Sequence, residues 1–181
     1  MRFERPGQVK AAAAHPGAWR KKMTFEIREA TTDDAGIILG FIRELAIYEK
    51  EPDAVVATEE DIVTRLFNPD TTTRAVICTS EGRPVGFAVY FLSFSTWLGR
   101  DGLFLEDLYV SPAERGKGFG KALLKHLAKI AVDKNCGRFE WNVLDWNEPA
   151  IRFYEAIGAR AQSEWVGYRL DGQALLDLAK S

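Results

Sequence analysis

Apolar residues recur every three to four positions in four stretches of the chain, as they do on the buried side of a helix. In the first stretch Ile38, Phe41 and Leu45 fall on one side of such a helix. Thr58 and Asp61 have the spacing of a capping box, which marks the start of the second stretch. The spacing predicts four helices, at residues 32–50, 58–67, 118–134 and 148–157.

Between the helices the chain is rich in β-branched and aromatic residues, which favour strands. Glu81-Gly-Arg-Pro84 has the composition of a hairpin turn and separates two of the strands. Strands are expected at residues 24–28, 74–79, 85–94, 103–110, 138–144 and 161–170. Strands and helices that follow one another in this order predict an α/β (α+β) fold, a mixed sheet with helices on both faces.

The strand at residues 103–110 leads into a glycine-rich turn, Arg115-Gly-Lys-Gly-Phe-Gly120, that opens the third helix. Its three glycines let the backbone adopt positive φ angles and approach a ligand, while the helix start offers unpaired N–H groups. The turn therefore suits a pyrophosphate, although a tight connection without a ligand is the alternative.

Two common nucleotide sites do not fit this turn. It lacks the Gly-Lys-Ser/Thr ending of loops that bind ATP or GTP. No acid closes a second strand about twenty residues later, as a dinucleotide site requires. Coenzyme A, which also carries a pyrophosphate, is the ligand that the turn favours.

Two adjacent acids, Glu106 and Asp107, lie in the strand just before the turn. Strict alternation along a strand places Asp107 on the same face as Leu105 and Tyr109, with Glu106 on the opposite face. A carboxylate in an apolar strand loses hydration free energy unless it is paired or faces water, and burial raises its pKa. One of the two acids is therefore expected to face a cleft; a carboxylate satisfied by a helix cap or an arginine is the alternative.

A second group of polar residues begins the fourth helix. Asn147 is a favourable helix N-cap, and Pro149 is tolerated in a first helical turn. Asn147 and Tyr154 fall near one face of the helix, so the Tyr154 hydroxyl is expected to point where the capping side chain does. Alternatively, Phe153 and Tyr154 only pack the helix against the sheet.

Composition narrows the class of protein. The chain has 181 residues and a hydrophobic content of 46%, enough for one domain with a single core. It contains no apolar run that could cross a membrane, and its two cysteines are isolated, as in a cytoplasmic protein. Neither of its two histidines belongs to a cluster of metal ligands, so no metal is expected.

Charge is distributed unevenly along the chain. Residues 1–22 contain six basic residues and one acid, and they are expected to be a disordered basic leader, a misplaced start or, less readily, a transit peptide. Residues 23–181 then form one acidic domain. Its negative charge argues against binding to nucleic acid.

These motifs, and the order in which they follow one another along the chain, resemble those of the GNAT superfamily of N-acetyltransferases. Arg115-x-x-Gly118-x-Gly120 matches the family's acetyl-CoA motif, and Asn147 to Tyr154 matches its later Asn and Phe-Tyr helix. Within the superfamily the chain looks like the diamine acetyltransferases, the spermidine/spermine and thialysine enzymes, over residues 24–180. Further matches are Glu44-Leu-Ala-x-Tyr-Glu49, Ser95-Thr-Trp-Leu-Gly-Arg100, Leu105-Glu-Asp107 and Trp146-Asn-Glu-Pro149. The resemblance implies a GNAT-like, mainly antiparallel sheet, acetyl-CoA as the co-substrate and a homodimer.

The resemblance also implies roles for individual residues. Tyr154 would be the general acid, and Glu106 would accept the amine proton directly or through water. The strands at 103–110 and 138–144 would splay apart to admit the cofactor arm. The amine substrate would contact Tyr48, Glu49, Trp97, Glu106 and Asp107. Acetyl-CoA would contact Leu108, Tyr109, Val110, Arg115, Gly116, Lys117, Gly118, Phe119, Gly120, Lys121, Asn147, Glu148, Pro149 and Ala150.

The chemistry of the acids agrees with these roles. An alkyl amine with a pKa of about 10.4 is protonated at neutral pH, so a carboxylate must first hold the cation and then help to remove its proton. The predicted function is acetyl-CoA-dependent N-acetyl transfer to a primary amine of a small diamine or a lysine-like molecule. Ser95 and Val166 stand where polyamine enzymes carry acids, which favours a short amine over a long polycation. The alternatives are acetylation of a protein amino group and a non-catalytic acyl-CoA-binding domain.

Overall fold

The structure, a computed structural model, describes residues 24–181, so the predicted leader at residues 1–22 lies outside the described residues. The strands are β1 (Phe25–Glu29), β2 (Arg74–Ser80), β3 (Arg83–Ser95), β4 (Arg100–Val110) and β5 (Arg138–Trp141). The helices are α1 (Ala35–Tyr48), α2 (Glu59–Leu66), α3 (Phe119–Asp133), α4 (Glu148–Ala156) and α5 (Gly172–Leu178). Two compact units can be distinguished, one ending at Glu140 and the other Trp141–Ser181. That residues 23–181 act as a single domain stays a prediction.

The five strands form one sheet in the order β1-β2-β3-β4-β5. The pairs from β1 to β4 are antiparallel. Residues 81–82 turn β2 into β3 at the position predicted for the hairpin. The sheet confirms the predicted mixed α/β fold with mainly antiparallel strands.

Helices α1 and α2 cover one face of the sheet. Ile38 and Phe41 of α1 and Leu66 of α2 pack with Phe87 and Tyr109 of the sheet in a buried cluster. The Phe41 ring stacks on the Phe87 ring with their centres 5.5 Å apart. Burial of these large side chains is the main favourable contribution to folding on this face.

Helix α3 covers the opposite face. Tyr109 faces Phe87 across the β3–β4 pair and Leu108 faces Ala88, so Leu108 points away from the face of Tyr109. A Cβ atom on Gly120, at the start of α3, would lie 3.9 Å from Leu108 and from Val110. Helices thus lie on both faces of the sheet, as predicted.

The start of α1 is fixed by a buried carboxylate. Asp34 accepts hydrogen bonds of 2.7 Å from both terminal nitrogens of Arg28 and one of 2.8 Å from the Thr31 N–H. The hydrogen bonds from Arg28 above all lower the pKa of Asp34 to about 2. All of these donors come from residues within six positions of Asp34 in the sequence, so Asp34 has a structural role.

The predicted cap of α2 is confirmed. The Asp61 N–H donates to Thr58 Oγ1 at 3.2 Å, and the Thr58 N–H donates to Asp61 Oδ2 at 2.9 Å. Each side chain therefore satisfies a backbone donor that the helix itself leaves unpaired.

Two predictions for the end of the chain are wrong. β5 ends at Trp141 rather than at residue 144, and residues 161–170 form no strand. A strand needs a neighbour that takes up its backbone hydrogen bonds, and the described sheet has no strand beside residues 161–170. Trp165 and Tyr168 in this segment are accordingly exposed. The segment leads instead into the short helix α5, which the sequence analysis did not predict.

Candidate active site

β4 carries a bulge at Glu106. Val89 of β3 faces Asp107, and the next residue, Tyr90, faces Leu105, so Glu106 has no partner across the strand pair. The extra residue interrupts the alternation, and Leu105 and Asp107 therefore lie on opposite faces of the sheet. The prediction that these two side chains share a face is wrong, because it assumed a regular strand.

Asp107 is the carboxylate that the bulge turns toward α1 and α2. Its side chain is partly buried and makes no hydrogen bond or ion pair with another residue among 24–181. Burial, together with the negative charges of Glu106 and Glu49, raises the pKa of Asp107 from 3.8 to about 6. A cation placed beside this carboxylate would favour its ionised form and lower its pKa.

The end of α1 brings the predicted Tyr48 and Glu49 to this region. Glu49 is the C-cap, and its N–H donates to the Leu45 carbonyl oxygen at 2.8 Å. Burial raises the pKa of Glu49, and its charge acts on Asp107. Glu106 remains exposed at the bulge. The structure thus brings together three of the acids that the sequence analysis selected.

A cavity of about 300 Å³ lies between α1, α2 and the sheet, and Asp107 forms part of its wall. Ligand pockets commonly measure about 300–1,000 Å³, so this cavity suits a small molecule. Its apolar lining includes Ile42, Ile62 and Val89. The cavity can therefore take a short aliphatic chain that ends in a cation at Asp107.

Helix α2 contributes Asp61 and Arg65 to this cavity, and neither residue was predicted to belong to a site. The sequence predicted the helix and its cap correctly. An exposed arginine on an amphipathic helix is ordinary, however, and no local signal distinguishes Arg65. Arg65 reaches the cavity only because α2 packs over the sheet, which the local sequence does not reveal.

Arg115, the first residue of the glycine-rich turn, connects that turn to α1. Its Nε donates to the Val110 carbonyl oxygen at 3.0 Å. Its guanidinium lies 4.6 Å from the centre of the Tyr48 ring and 5.5 Å from that of Tyr109. Burial, and after it hydrogen bonding and negative charge from Glu44 of α1, raise the pKa of Tyr109. These contacts are internal; a contact of Arg115 or Tyr109 with the cofactor stays a prediction.

The glycine-rich turn has the backbone geometry that the sequence predicted. Gly116 and Gly118 have φ angles of +76° and +91°, in the left-handed region that favours glycine. A Cβ at either position would meet no atom within 4 Å, so the space above the turn is open. Gly118 is the N-cap of α3 and supplies no side chain to the first N–H groups of the helix. The helix itself leaves these donors without an internal acceptor.

Elsewhere in this region the backbone, more than the side chains, is available to a ligand. The Phe119 side chain is buried, with its ring centre 5.6 Å from that of Phe25. Lys117 is paired with Glu114 at 2.7 Å. Along β4, the Ser111 N–H donates to Val85 of β3, so the N–H of the preceding Val110 points to the other edge of the strand. Leu108 and Lys121 stay predicted cofactor contacts.

In the unit Trp141–Ser181, α4 begins as predicted. The Asn147 side chain accepts a hydrogen bond of 3.4 Å from the Ala150 N–H, and Pro149 lies in the first turn. The Tyr154 ring lies 5.0 Å from the Trp141 ring, so this tyrosine has a packing role. The catalytic role of Tyr154 and the cofactor contacts of Asn147, Glu148, Pro149 and Ala150 stay predictions.

Trp97 lies apart from the three acids. It belongs to the turn of the β3–β4 hairpin, beyond the pair Ser95 and Arg100, and is 88% exposed. Val89, which faces Asp107, lies six residues before Ser95 along β3, a span of roughly 20 Å. The structure does not bring Trp97 to Asp107 within this chain, and its contact with the substrate stays a prediction.

Two further features concern residues 24–181 as a group. Nowhere in this range do three or more His, Cys, Asp or Glu side chains converge as a set of metal ligands. None of the helices in the same range has the length and apolarity that crossing a bilayer requires.

Known proteins resemble this chain in sequence and in fold. The model of the acetyltransferase (GNAT) family matches residues 41–159. A thialysine N-epsilon-acetyltransferase of Sus scrofa is 41% identical, with the alignment covering 84% of this chain and 96% of the relative. The L-ornithine N5-acetyltransferase NATA1 of Arabidopsis thaliana is 30% identical, over 88% of this chain and 90% of the relative. Among solved structures, an integron cassette protein from the mobile metagenome of V. cholerae aligns with a TM-score of 0.75 and 32% identity, over 88% of this chain and 99% of its own.

Proposed function

The chain belongs to the GNAT family of acetyltransferases and is an N-acetyltransferase, and we propose that its acceptor is the terminal amine of a small diamine or lysine-like molecule. The observation that carries this proposal is a cavity whose lining includes Asp107, a partly buried carboxylate with neither hydrogen bond nor ion pair among residues 24–181. Two relatives are named for acetylation of side-chain amines, of thialysine at N-epsilon and of L-ornithine at N5.

Asp107 and Glu49 hold the substrate as an ammonium ion in this proposal. At neutral pH an alkyl amine is a cation, and a partly buried carboxylate binds it more strongly than an exposed one would. The apolar wall of the cavity covers the methylene groups of the substrate. The size of the cavity favours a small molecule over a lysine presented on a protein surface.

Glu106 is the proposed base. It lies next to Asp107 at the bulge, and its side chain is exposed. An exposed carboxylate can accept the amine proton directly or through a water molecule and release it to solvent. Asp107 and Glu106 would thus divide two tasks, with Asp107 binding the cation and Glu106 receiving its proton.

Members of the GNAT family use acetyl-CoA as the co-substrate, which supplies an activated acetyl thioester. The residues of the glycine-rich turn fit this group. Gly116 and Gly118 leave open space above the turn, and the first N–H groups of α3 have no side-chain cap. We expect these donors to bind the pyrophosphate, with the edge of β4 at Leu108 and Val110 pairing with the pantetheine arm.

The most direct experiment measures CoA release with a panel of amines. We expect L-ornithine, L-lysine and 1,4-diaminobutane to exceed both spermine and a lysine-containing peptide in kcat/KM. If the peptide is the best acceptor, the protein acetylates proteins instead. If acetyl-CoA binds but no amine releases CoA, the domain binds acyl-CoA without catalysis and the proposal is wrong.

The proposed general acid, Tyr154, needs its own test. Tyr154→Phe keeps the ring contact with Trp141 but removes the hydroxyl proton. We expect kcat to fall by about 10²-fold while the Kd of acetyl-CoA and the Tm are unchanged. A normal kcat would assign Tyr154 to packing alone. A lower Tm in the same variant would show that the hydroxyl is a structural hydrogen-bonding group.

A further inference from the structure

The cavity beside Asp107 has charged residues on two of its walls. Asp107 lies on the partly buried wall, in β4. Asp61 and Arg65 lie on the exposed wall, four residues apart and therefore on the same side of α2. Between the two walls the lining is apolar, with Ile62 and Leu66 from α2 itself. A molecule that fills the cavity would meet the partly buried carboxylate of Asp107 and the exposed charges of Asp61 and Arg65.

Arg65 has its hydrogen-bonding capacity available. Arg28, Arg138 and Arg152 are each paired with a carboxylate, whereas Arg65 takes part in no ion pair or hydrogen bond within residues 24–181. Its neighbour Asp61 forms no direct ion pair with it, because Asp61 Oδ2 accepts hydrogen bonds from the N–H and hydroxyl of Thr58, which lower the Asp61 pKa more than the charge of Arg65 does. The guanidinium donors of this cavity-lining residue are therefore available to a ligand.

We propose that Arg65 binds the α-carboxylate of the acceptor and thereby selects α-amino acids with a terminal side-chain amine over diamines that lack a carboxylate. This inference rests on the proposed function and adds the residue that sets its specificity. The terminal ammonium lies at Asp107 and the methylene groups lie along the apolar lining. The free oxygen of Asp61, one helical turn before Arg65, is positioned for the α-ammonium.

Electrostatics gives this arrangement its selectivity. A guanidinium and a carboxylate form two parallel charge-assisted hydrogen bonds, which are stronger than neutral ones. 1,4-Diaminobutane keeps the ammonium beside Asp61 but has no carboxylate, so the Arg65 guanidinium would lie near a cation without a negative charge from the ligand. Like charges at this position repel, so the same residue that favours the amino acid disfavours the diamine.

The test compares L-ornithine with 1,4-diaminobutane, which differ only in the carboxylate. Arg65→Gln removes the charge, and we expect the ratio of kcat/KM for L-ornithine to that for 1,4-diaminobutane to fall at least tenfold, through a higher KM for L-ornithine. Arg65→Glu should lower the ratio further and raise kcat/KM for the diamine. Both substrates are measured on one enzyme sample, so the ratio does not depend on the folded fraction.

Arg43→Glu is the matched control, because Arg43 is an exposed arginine of α1 that does not line the cavity. Its ratio should stay within twofold of the wild type. The inference is overturned if both Arg65 variants keep the wild-type ratio, or if the wild type acetylates diamines but not L-ornithine; the proposed function then still stands. If the wild type acetylates no amine at all, the proposed function fails, and the inference fails with it.

Discussion

Asp34 and Asp107 are two aspartates of the same compact unit whose surroundings act on them in opposite directions. Asp34, at the start of α1, accepts hydrogen bonds from Arg28 and Thr31, and its pKa is lowered to about 2. Asp107, in β4, has no such donor, and burial raises its pKa to about 6. The first carboxylate has its hydrogen-bonding partners within the protein, whereas the second has none there and is proposed to bind a cationic ligand.

The difference separates a carboxylate that stabilises the fold from one that opposes it. A lowered pKa means that the ionised form is favoured by folding, and a raised pKa means that folding works against it. Folded proteins are stable by only about 5–15 kcal/mol, so a partly buried acid without a partner is a substantial cost. Such an acid on the wall of a cavity is typical of a ligand site, and here the expected ligand is a cation.

Asp34→Ala should have the largest effect and should act on stability. It leaves the Arg28 guanidinium and the Thr31 N–H without their acceptor. Removal of one partner of a buried pair costs about 3–5 kcal/mol, and we expect about 3 kcal/mol because the Arg28 side chain is 38% exposed and can be hydrated. Urea denaturation measures this loss. Asp33→Ala, at the exposed neighbour, should change the free energy of unfolding by less than about 0.5 kcal/mol. Equal losses in both variants would refute the assignment.

Asp107→Asn should come next and should act on activity. It removes the charge that holds the amine, so kcat/KM for the amine should fall about 30-fold, or about 2 kcal/mol, mainly through KM. Steady-state kinetics with L-ornithine checks this. Asp101→Asn removes an exposed acid of the same strand and should leave kcat/KM unchanged. Retention of activity by Asp107→Asn would mean that another group binds the amine.

The smallest effect concerns the stability of the same Asp107→Asn variant. Between about pH 4 and pH 6 the folded protein keeps a proton on Asp107 that the unfolded chain has lost, so wild-type stability falls as the pH rises through this window. Each pKa unit corresponds to about 1.4 kcal/mol, so ionised Asp107 lowers stability by at most about 3 kcal/mol. We expect the variant to be about 1–2 kcal/mol more stable than the wild type at pH 8 and equally stable at pH 4. A less stable variant at pH 8 would show that the carboxylate has a partner.

The sequence predicted those features whose cause lies within a few residues. The capping box of Thr58 and Asp61 and the positive φ angles of Gly116 and Gly118 are local, and both were found. The acids of β4 were selected because a pair of charges is unusual in an apolar strand, and their roles stay predictions. The composition of a strand was not sufficient at residues 161–170, where no neighbouring strand exists in the described sheet.

The remaining features depend on how distant segments meet. The bulge at Glu106 follows from the register of β3 against β4, which no local pattern encodes. It places Leu105 and Asp107 on opposite faces, so strict alternation was right to group Asp107 with Tyr109 but wrong to group it with Leu105. Arg65 becomes a candidate site residue only because α2 packs over the sheet and places it in the lining of a cavity that also includes Val89. The residue types of the site were thus predictable, whereas its geometry was not.

The pKa of Asp107 itself tests most directly whether this carboxylate is kept unpaired for a cation. It can be followed by ¹³C NMR of the carboxyl carbon, with the signal assigned by its loss in Asp107→Asn. We predict a pKa of about 6 in the free protein and a clear fall when L-ornithine is added, while Asp34 titrates at about 2 in both conditions. A pKa of about 4 that L-ornithine does not change would contradict the claim.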